Sequence, residues 1–284
     1  MRQQRHGRIL LDGPPGAGTT YTALALATSI GDRVAVIDAQ RGRISAYAET
    51  FPFHICPPVS YFSPDTLVTM LAHCAAQGYD TVVIAPISAF WSDRAGVLDQ
   101  VTKASKRGSA GNRSGWSEVR PMERHMLEAV LGYPGHVIAT VRDKLEYVAE
   151  PDETGHVARR IIGMAPIGRD GMAYDWDFVA TMDHSHTLVA VRAPGDLSGH
   201  VEQNPGAQLA ARIKSWLDQG IPLTTPHDLA EEALRPDLTF EELGSLMNQA
   251  RLRHAEGHPL LLPDGTGTTL GTYITRRGNE LRSA

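Results

Sequence analysis

The sequence lacks several features that would assign it to a class of protein at once. Its two cysteines, Cys56 and Cys74, are too far apart for a C-x-x-C metal or redox motif, so reduced thiols are the simplest expectation. No run of 18 apolar residues occurs, and the basic start leads into glycines rather than a secretory apolar segment. We therefore expect a cytoplasmic protein with no membrane contact. The net charge of −5 gives no overall attraction to nucleic acid, so such binding would need a local basic patch.

What is present is a chain of ordinary globular composition. Its 284 residues, 42% of them hydrophobic, are enough to bury a sizeable core. Short apolar runs alternate with helical patterns, which predicts an α/β fold with a mostly parallel central sheet flanked by helices. The predicted strands are 8–12, 33–38, 81–85 and 136–141, and the predicted helices are 20–30, 64–77, 118–132 and 207–218.

The second half of the chain is expected to add hairpins and an appendage. Predicted β-hairpins pair 145–150 with 157–162 and 177–182 with 187–192. The Pro/Thr stretch 222–226 reads as a linker, which predicts a main domain over 1–221 and a small helical appendage over 222–284. In the appendage, Thr225 and Thr239 are candidate caps of helices at about 227–234 and 239–255.

The stretch 13–20, Gly-Pro-Pro-Gly-Ala-Gly-Thr-Thr, contains a recognisable functional motif. It fits the phosphate-loop pattern G-x-x-x-x-G-K-[ST] at every position except the seventh, and a strand precedes it and a helix follows it, as such a loop requires. Backbone N–H groups of this loop and the positive end of the helix would converge on a phosphate. The candidate nucleotide-binding residues are Gly13, Pro14, Pro15, Gly16, Ala17, Gly18, Thr19, Thr20 and Tyr21.

Three chemical positions depart from what a hydrolysing phosphate-loop enzyme needs. Thr19 replaces the lysine that reaches the β/γ-phosphates, although Thr20 keeps the hydroxyl that touches Mg²⁺. The strand 81–85 ends in Ala85, whose methyl group cannot hold a cation. Gln40 is a neutral amide where a carboxylate could activate water, yet glutamine can still orient a water. Asp80 and Asp93 are alternative metal ligands, but neither has the right register.

In combination, these segments resemble the RecA/Rad51 superfamily of P-loop ATPases, and more closely the Sak4-like single-strand annealing ATPases of phages. Ile37-Asp38-Ala39-Gln40 is similar to the family's I-D-[AT]-E, and 82–91 is similar to its V-V-I-D-S-[LI]-[ST]-H-x-[WY] strand. Further similar segments are Gly111-Asn112, 116–121, 137–148 and 171–178. The resemblance covers about 8–220 and implies a RecA-like P-loop domain. The resemblance implies that the family has a catalytic glutamate at position 40, a metal-binding aspartate at 85 and a histidine at 89. This chain has Gln40, Ala85 and Ala89 there, so no catalytic set is intact.

The resemblance also implies DNA-binding loops, over about 103–117 and 142–170. Residues 103–124 carry six basic against two acidic side chains, and the part over 103–117 is predicted to be a mobile basic loop. Trp116 could stack on a base or pack in the core. In the family, the strand end at Arg142 and Lys144 faces the nucleotide of a neighbouring subunit. The candidate single-stranded-DNA contacts are Lys103, Lys106, Arg107, Arg113 and Arg120.

Three hypotheses remain open from the sequence. The first is a pseudo-ATPase that binds single-stranded DNA, or assembles with itself or a partner, in recombination or phage biology. The second is a weakly active ATPase that takes its cation from a neighbouring subunit, and the third is a protein-interaction scaffold without nucleotide or DNA. ATP or ADP with Mg²⁺, weakly held, is the candidate ligand, with Arg41, Arg43 and Arg142 as substitute cations. His184 and His186 beside Asp183 are read as a hairpin turn rather than as metal ligands.

Overall fold

The computed structural model of the protein describes residues 2–107, 115–151, 157–221, 224–252, 255–262 and 266–283. The chain divides into a large unit, Arg5–Gln219, and a small unit of Gly220–Ala284 with Met1–Gln4. The predicted domain boundary between 221 and 222 stays a prediction.

The large unit alternates strands and helices along most of its length. Short 3₁₀ turns at Arg43–Tyr47, Met172–Asp175 and Gly195–Leu197 interrupt its connections. In chain order its elements are β1 (Arg8–Gly13), α1 (Thr19–Ile30), β2 (Val34–Asp38), β3 (His54–Ile55), α2 (Pro64–Ala76), β4 (Thr81–Ala85), α3 (Ser88–Ser92), α4 (Val97–Arg107), α5 (Trp116–Leu131), β5 (His136–Pro151), β6 (Val157–Pro166), β7 (Phe178–Met182), β8 (Thr187–Arg192), β9 (Val201–Gln203) and α6 (Ala207–Leu217).

The strands form one nine-stranded sheet in the order β3-β2-β4-β5-β1-β7-β8-β9, with β6 paired to β5 outside this path. The first six strands of that order are parallel, whereas β8 and β9 continue the edge antiparallel. The predicted mostly parallel sheet flanked by helices is confirmed. Because parallel strands share a direction, the carboxyl ends of β1, β2, β4 and β5 lie at the same edge of the sheet.

Side-chain alternation along β1 explains why both faces of the sheet are covered. All six residues of β1 are buried. Ile9 and Leu11 pack on one face with Leu24 of α1, whereas Leu10 packs on the opposite face with Leu67 of α2. A strand buried on both faces must be apolar nearly throughout, which is the pattern that its sequence shows.

The structure corrects the predicted mobile basic loop over 103–117. Lys103, Lys106 and Arg107 lie on helix α4, because Val97, Val101 and Ala104 provide an apolar stripe that packs against the core. Residues 108–114, which include Arg113 and the motif Gly111-Asn112, lie outside the described residues. The glycines and serines of that segment favour a loop, but α4 extends to Arg107 and α5 begins at Trp116, so the loop is shorter than predicted at both ends.

Two further predicted boundaries were wrong. The predicted strands 136–141 and 145–150 are one continuous strand, β5, because its first part pairs with β1 and β4 and the rest pairs with β6. Helix α5 begins at Trp116, so Pro121 lies inside the helix rather than in its first turn. A proline there removes one backbone donor, and the helix continues through the site.

The small unit contains α7 (Pro226–Ala233), α8 (Phe240–Leu252), β10 (Pro259–Leu261), β11 (Gly267–Thr269) and α9 (Leu270–Ser283). The predicted caps are present: Thr225 Oγ1 accepts from the Asp228 N–H at 3.1 Å, and Thr239 Oγ1 accepts from the Glu242 N–H at 3.2 Å. The β10–β11 hairpin and α9 were not predicted. Among the helices of the described ranges, none is long and apolar enough to cross a membrane.

A half-buried histidine pair lies near the amino end of β5. The rings of His6 and His136 stack with centroids 5.4 Å apart, and His136 Nδ1 accepts a hydrogen bond from the Gly7 N–H at 3.0 Å. Burial, with smaller contributions from neighbouring cations that include Arg8, lowers the pKa of each histidine to about 4. Both rings are therefore neutral in the folded protein near pH 7.

We predict that acid destabilises the large unit through this pair. Unfolded histidine has a pKa near 6.5, so between about pH 6.5 and 4 the unfolded state binds more protons and the unfolding free energy falls as pH drops. The loss is roughly 3 to 6 kcal/mol for the pair. Urea unfolding at pH 7 and pH 5, followed by the fluorescence of the tryptophans, measures it.

The matched variants are His136→Asn and His125→Asn. Asparagine at 136 keeps an acceptor for the Gly7 N–H but cannot titrate, so we expect a shallower loss of stability between pH 7 and 5. His125 is exposed on α5, and its replacement should leave the wild-type slope. Equal slopes for wild type and His136→Asn would contradict the assignment.

Candidate functional site

The predicted phosphate loop has a glycine-dependent conformation. Gly16 and Gly18 both have φ of +90°, in the left-handed region that favours glycine. A Cβ atom on Gly13 would lie 2.6 Å from the carbonyl oxygen of Met182, so only glycine fits between β1 and β7. The Ala17 N–H donates to the Pro14 carbonyl at 3.0 Å and closes the turn. Helix α1 begins at Thr19, so the loop ends at the amino end of this helix.

The loop borders a cavity of about 510 Å³ at the carboxyl edge of the parallel strands. Its volume is within the range of small-molecule sites. Loop residues form one wall, the segment after β2 a second, and β5 with Pro86 a third. The lining residues are Gly13, Pro14, Pro15, Gly16, Thr19, Thr20, Ala39, Gln40, Arg41, Arg43, Pro86, Thr140, Val141, Arg142, Asp143 and Ile167.

Gln40 is joined directly to the loop. Its side-chain Nε2 donates to Thr20 Oγ1 at 2.8 Å. Asp38 fixes the turn that presents Gln40, because its two carboxylate oxygens accept from the backbone N–H groups of Gln40 at 2.6 Å and Gly42 at 2.8 Å. Asp38 is thereby committed to the backbone, and the amide of Gln40 occupies the space in front of the Thr20 hydroxyl.

The positions of the implied metal ligands are apolar. Ala85 is fully buried at the end of β4, and its carbonyl accepts from the Ala39 N–H at 2.8 Å. Ala89 is fully buried on α3. Among the described residues, no group of three or more His, Cys, Asp or Glu side chains could hold a metal ion.

The alternative metal ligands have other roles. Asp80 precedes β4, at the opposite end of the strand from the loop, and accepts from the backbone N–H groups of Asp32 and Arg33 at 3.0 Å. Asp93 forms an ion pair with Arg142, with Arg142 Nη1 3.1 Å from Oδ1. Neither carboxylate is left free to serve as a cation ligand beside Thr20.

Two carboxylates near the loop were missed by sequence reasoning. Asp12, the residue before Gly13, is buried in β1 and accepts from Thr181 Oγ1 at 3.1 Å with both oxygens. Burial, and then the nearby Asp143, raise the pKa of Asp12 to about 6. Burial also raises the pKa of Asp143, which lines the cavity. An aspartate in an otherwise apolar strand next to a phosphate loop was the available signal.

A second cleft of about 1,010 Å³ lies on the other side of the loop. Its aromatic wall consists of Tyr21, Tyr47 and Phe51, with the Tyr21 ring 6.2 Å from Tyr47 and 5.0 Å from Phe51 in edge-to-face contacts. Tyr21 is 47% exposed, so its ring faces the cleft. The opposite wall includes His186 and Asn204.

The turn between β7 and β8 contacts the loop. Asp183 Oδ1 accepts from the N–H groups of Ser185 at 2.8 Å and Thr187 at 3.0 Å, which is the predicted turn. His186 extends from this turn, and its Nδ1 lies 3.0 Å from the carbonyl oxygen of Ala17 in the loop. No sequence signal could have paired these residues, which are 169 positions apart.

The candidate DNA-binding side chains lie on or beside α4 and α5. Lys103 is paired with Asp99 at 2.8 Å and Arg107 with Glu118 at 2.5 Å, whereas Lys106 and Arg120 are exposed. Trp116 is half-buried and packs 5.9 Å from Trp91. Lys144 is exposed on β5. Their contacts with DNA or with a neighbouring subunit stay predictions.

The comparison with known families covers the same part of the chain. A family model described as AAA domain matches residues 5–218, which include the loop and every strand of the large sheet. No curated protein matches the chain.

The buried Asp12 leads to a prediction about stability. Folding raises the pKa of Asp12 to about 6, so the carboxylate ionises less readily in the folded than in the unfolded protein. The unfolding free energy therefore falls as the pH rises from about 4 to 6. Asp12→Asn keeps an acceptor for Thr181 without the charge, and should raise the unfolding free energy at pH 7.5 by roughly 2 kcal/mol. Urea unfolding at pH 7.5 and 4.5 checks this, since the gain at the lower pH should fall to roughly a third of its value at pH 7.5.

The control is Asp170→Asn, which neutralises an exposed carboxylate in the same unit. We expect it to change stability by less than about 0.5 kcal/mol at either pH. A gain for Asp12→Asn that is the same at both pH values would refute a buried charge as its origin.

Proposed function

Because this chain belongs to the AAA domain family of P-loop ATPase-like proteins, we propose that it binds a nucleoside phosphate at the Gly13–Thr20 loop without magnesium-dependent hydrolysis. The observation that carries this proposal is the hydrogen bond from Gln40 Nε2 to Thr20 Oγ1. An amide nitrogen presents its positive end to the hydroxyl that would otherwise coordinate the cation. The loop therefore keeps its phosphate-binding shape while its metal position is filled by a donor.

The residues present do not fit Mg²⁺. Hard cations need oxygen ligands, and the neighbouring positions offer the methyl groups of Ala85 and Ala89 and the amide nitrogen of Gln40. The carboxylate of Asp38 is taken up by two backbone N–H groups. An amide stands at Gln40, where a carboxylate would have to act as general base, so no base is present at that position.

The same residues do fit a phosphate group. Backbone N–H groups of a loop with left-handed glycines, followed by a helix amino end, form an anion site without any side-chain charge. Arg41 and Arg43 line the cavity and supply positive charge that Thr19 lacks, and Arg142 lines it as well, paired with Asp93. The carboxylates of Asp12 and Asp143 oppose this charge, which favours weak binding.

The aromatic cleft is suited to the rest of a nucleotide. Tyr21 follows the loop directly and exposes its ring beside Tyr47 and Phe51. Aromatic faces stack on nucleobases with little regard to base identity. His186 bonds the loop at Ala17 and also lines the cleft, so the loop and the cleft are adjoining parts of one site.

We further propose that the protein is a RecA-like, Sak4-like homologue that acts on single-stranded DNA or in an assembly in recombination or phage biology. The motif segments at 37–40, 82–91 and 137–148 support this finer placement within the P-loop proteins. The exposed Lys106 and Arg120 offer cations for phosphate contacts. Hydrolysis assisted by a neighbouring subunit, and a scaffold that binds neither ligand, are the outcomes that the experiments below would reveal.

We predict that ATP binding is independent of Mg²⁺. Calorimetric titration with ATP in Mg²⁺ and in EDTA should give dissociation constants within about threefold of each other, since no ligand for the ion is gained, and phosphate release should stay at the level of the buffer blank. Thr19→Lys should tighten binding roughly tenfold by a charge-assisted bond. Thr275→Lys, on exposed α9 surface, is the matched control and should change nothing.

Some results would overturn the proposal. Binding that requires Mg²⁺, or ATP-dependent phosphate release by the wild type, would indicate an active ATPase. No binding of ATP by either wild type or Thr19→Lys would leave the loop as a structural turn.

We predict salt-sensitive binding of a single-stranded oligonucleotide. Fluorescence anisotropy across a salt series should show affinity falling with salt, as expected for phosphate contacts. The double variant Lys106→Glu/Arg120→Glu should weaken binding roughly tenfold and flatten the salt slope. Arg251→Glu/Arg276→Glu makes the same charge change in the small unit and should bind as the wild type does; equal losses in both variants would indicate a nonspecific charge effect.

A further inference from the structure

The only two cysteines of the sequence meet in the folded protein. Their Sγ atoms lie 3.5 Å apart, although 18 positions separate the residues in the chain. Cys56 follows the edge strand β3, and its N–H donates to the Val36 carbonyl of β2 at 2.9 Å. Cys74 lies in the last turn of α2. Both thiols are free in the structure.

We propose that Cys56 and Cys74 are a reversible redox modification site, which forms an intramolecular disulfide by exchange with a small-molecule disulfide of the glutathione class. A disulfide needs its sulfurs at about 2.05 Å, so the pair must close by about 1.5 Å. Rotation of two side chains can supply that approach without a new fold, because the backbones already lie on facing elements.

A groove gives the oxidant access to both sulfurs. It has a volume of about 410 Å³ and lies between the β3 edge and α2. Cys56 is half-buried, whereas Cys74 is 3% exposed, so Cys56 is the sulfur that a solute meets first. The groove is lined by Ala35, His54, Ile55, Cys56, Pro57, Pro58, Val59, Thr69, Met70, His73, Cys74, Gln77 and Tyr79.

The contact between the sulfurs favours the thiolate that exchange requires. When one proton leaves the pair, the remaining S–H donates to the charged sulfur, and the hydrogen bond from Cys56 lowers the pKa of Cys74. The same contact raises the pKa of Cys56, so Cys56 reacts first because it is the more accessible sulfur, and it passes its proton to the Cys74 sulfur 3.5 Å away as it attacks. The pKa of the first deprotonation is therefore a property of the pair and not of either cysteine alone.

The reaction balances in two exchanges. The Cys56 thiolate attacks one sulfur of the external disulfide, its S–S bond breaks, and one thiolate leaves. The Cys74 thiolate then attacks Cys56 Sγ of the mixed disulfide and releases the second thiolate. Two protein thiols are oxidised, one external disulfide is reduced to two thiols, and the two protons from the cysteines pass to the released thiolates.

The product would tie α2 to the sheet edge. Cross-linking residues 18 positions apart removes conformations from the unfolded chain, which stabilises the folded state. The linked strand β3 pairs with β2, and β2 leads into Asp38 and Gln40 at the phosphate loop. Oxidation thus acts on the edge of the sheet that carries one wall of the candidate site.

The experiment incubates the full chain in glutathione buffers of increasing oxidised fraction, traps free thiols with N-ethylmaleimide, and measures intact mass. We expect both thiols to be lost together in a monomer of unchanged chain mass apart from two hydrogens, with recovery in dithiothreitol. The melting temperature of the oxidised protein should rise by roughly 5 to 10 °C. Independent loss of the two thiols, stable glutathione adducts on both, or only intermolecular dimers would overturn the proposal.

Single variants test the order of the steps. Cys74→Ser should accumulate a mixed disulfide on Cys56, because the resolving thiol is absent. Cys56→Ser leaves the less exposed thiol and should react at least tenfold more slowly. Cys74→Ser that gains no adduct, while wild type still loses both thiols, would refute Cys56 as the entry point.

Discussion

The burial of β1 between β5 and β7 is the constraint on which the site depends. All six of its residues are buried, so its carboxyl end cannot shift without disturbing both cores of the sheet. The close approach of Gly13 to the Met182 carbonyl then fixes where the loop leaves the sheet. The loop conformation therefore follows from packing and backbone sterics, neither of which needs the lysine that Thr19 replaces. This separation of shape from charge explains how an intact phosphate loop can persist with altered chemistry.

The loop is surrounded by charged side chains of both signs. Side chains that would hold metal or abstract a proton are alanine or amide, while arginines enter from the segment after β2 and from β5. The carboxylates of the buried Asp12 and the half-buried Asp143 oppose those arginines; burial raises the pKa of both, and Asp143 contributes to the raised pKa of Asp12. The proposed function, anion binding without hydrolysis, follows from this arrangement, because a phosphate carries negative charge whether or not a metal accompanies it. The hydrogen bond from Gln40 Nε2 to Thr20 Oγ1 likewise places a donor, rather than a cation ligand, beside the loop.

Local sequence patterns predicted most of the sheet and the loop. Short apolar runs of the parallel strands, the glycine spacing of the loop, and the threonine caps at Thr225 and Thr239 depend on nearest neighbours, which sequence displays directly. The errors occurred where composition and burial disagree. Lys103, Lys106 and Arg107 read as loop residues because they adjoin a glycine-rich segment, yet the apolar stripe of α4 packs on the core. The continuity of β5 past Val141 was also hidden, since its charged middle resembles a turn.

By itself, the sequence determined the P-loop architecture and the location of the phosphate loop, with Thr19 at the position of the usual lysine. Only the tertiary structure decided which distant groups surround that loop. His186 reaches Ala17 and Thr181 reaches Asp12 across 169 positions, and Cys56 meets Cys74 on facing elements. The physical reason is that strand order and register, set by burial of the whole sheet, bring such residues together. Their separation along the chain leaves no periodic pattern by which they could be paired.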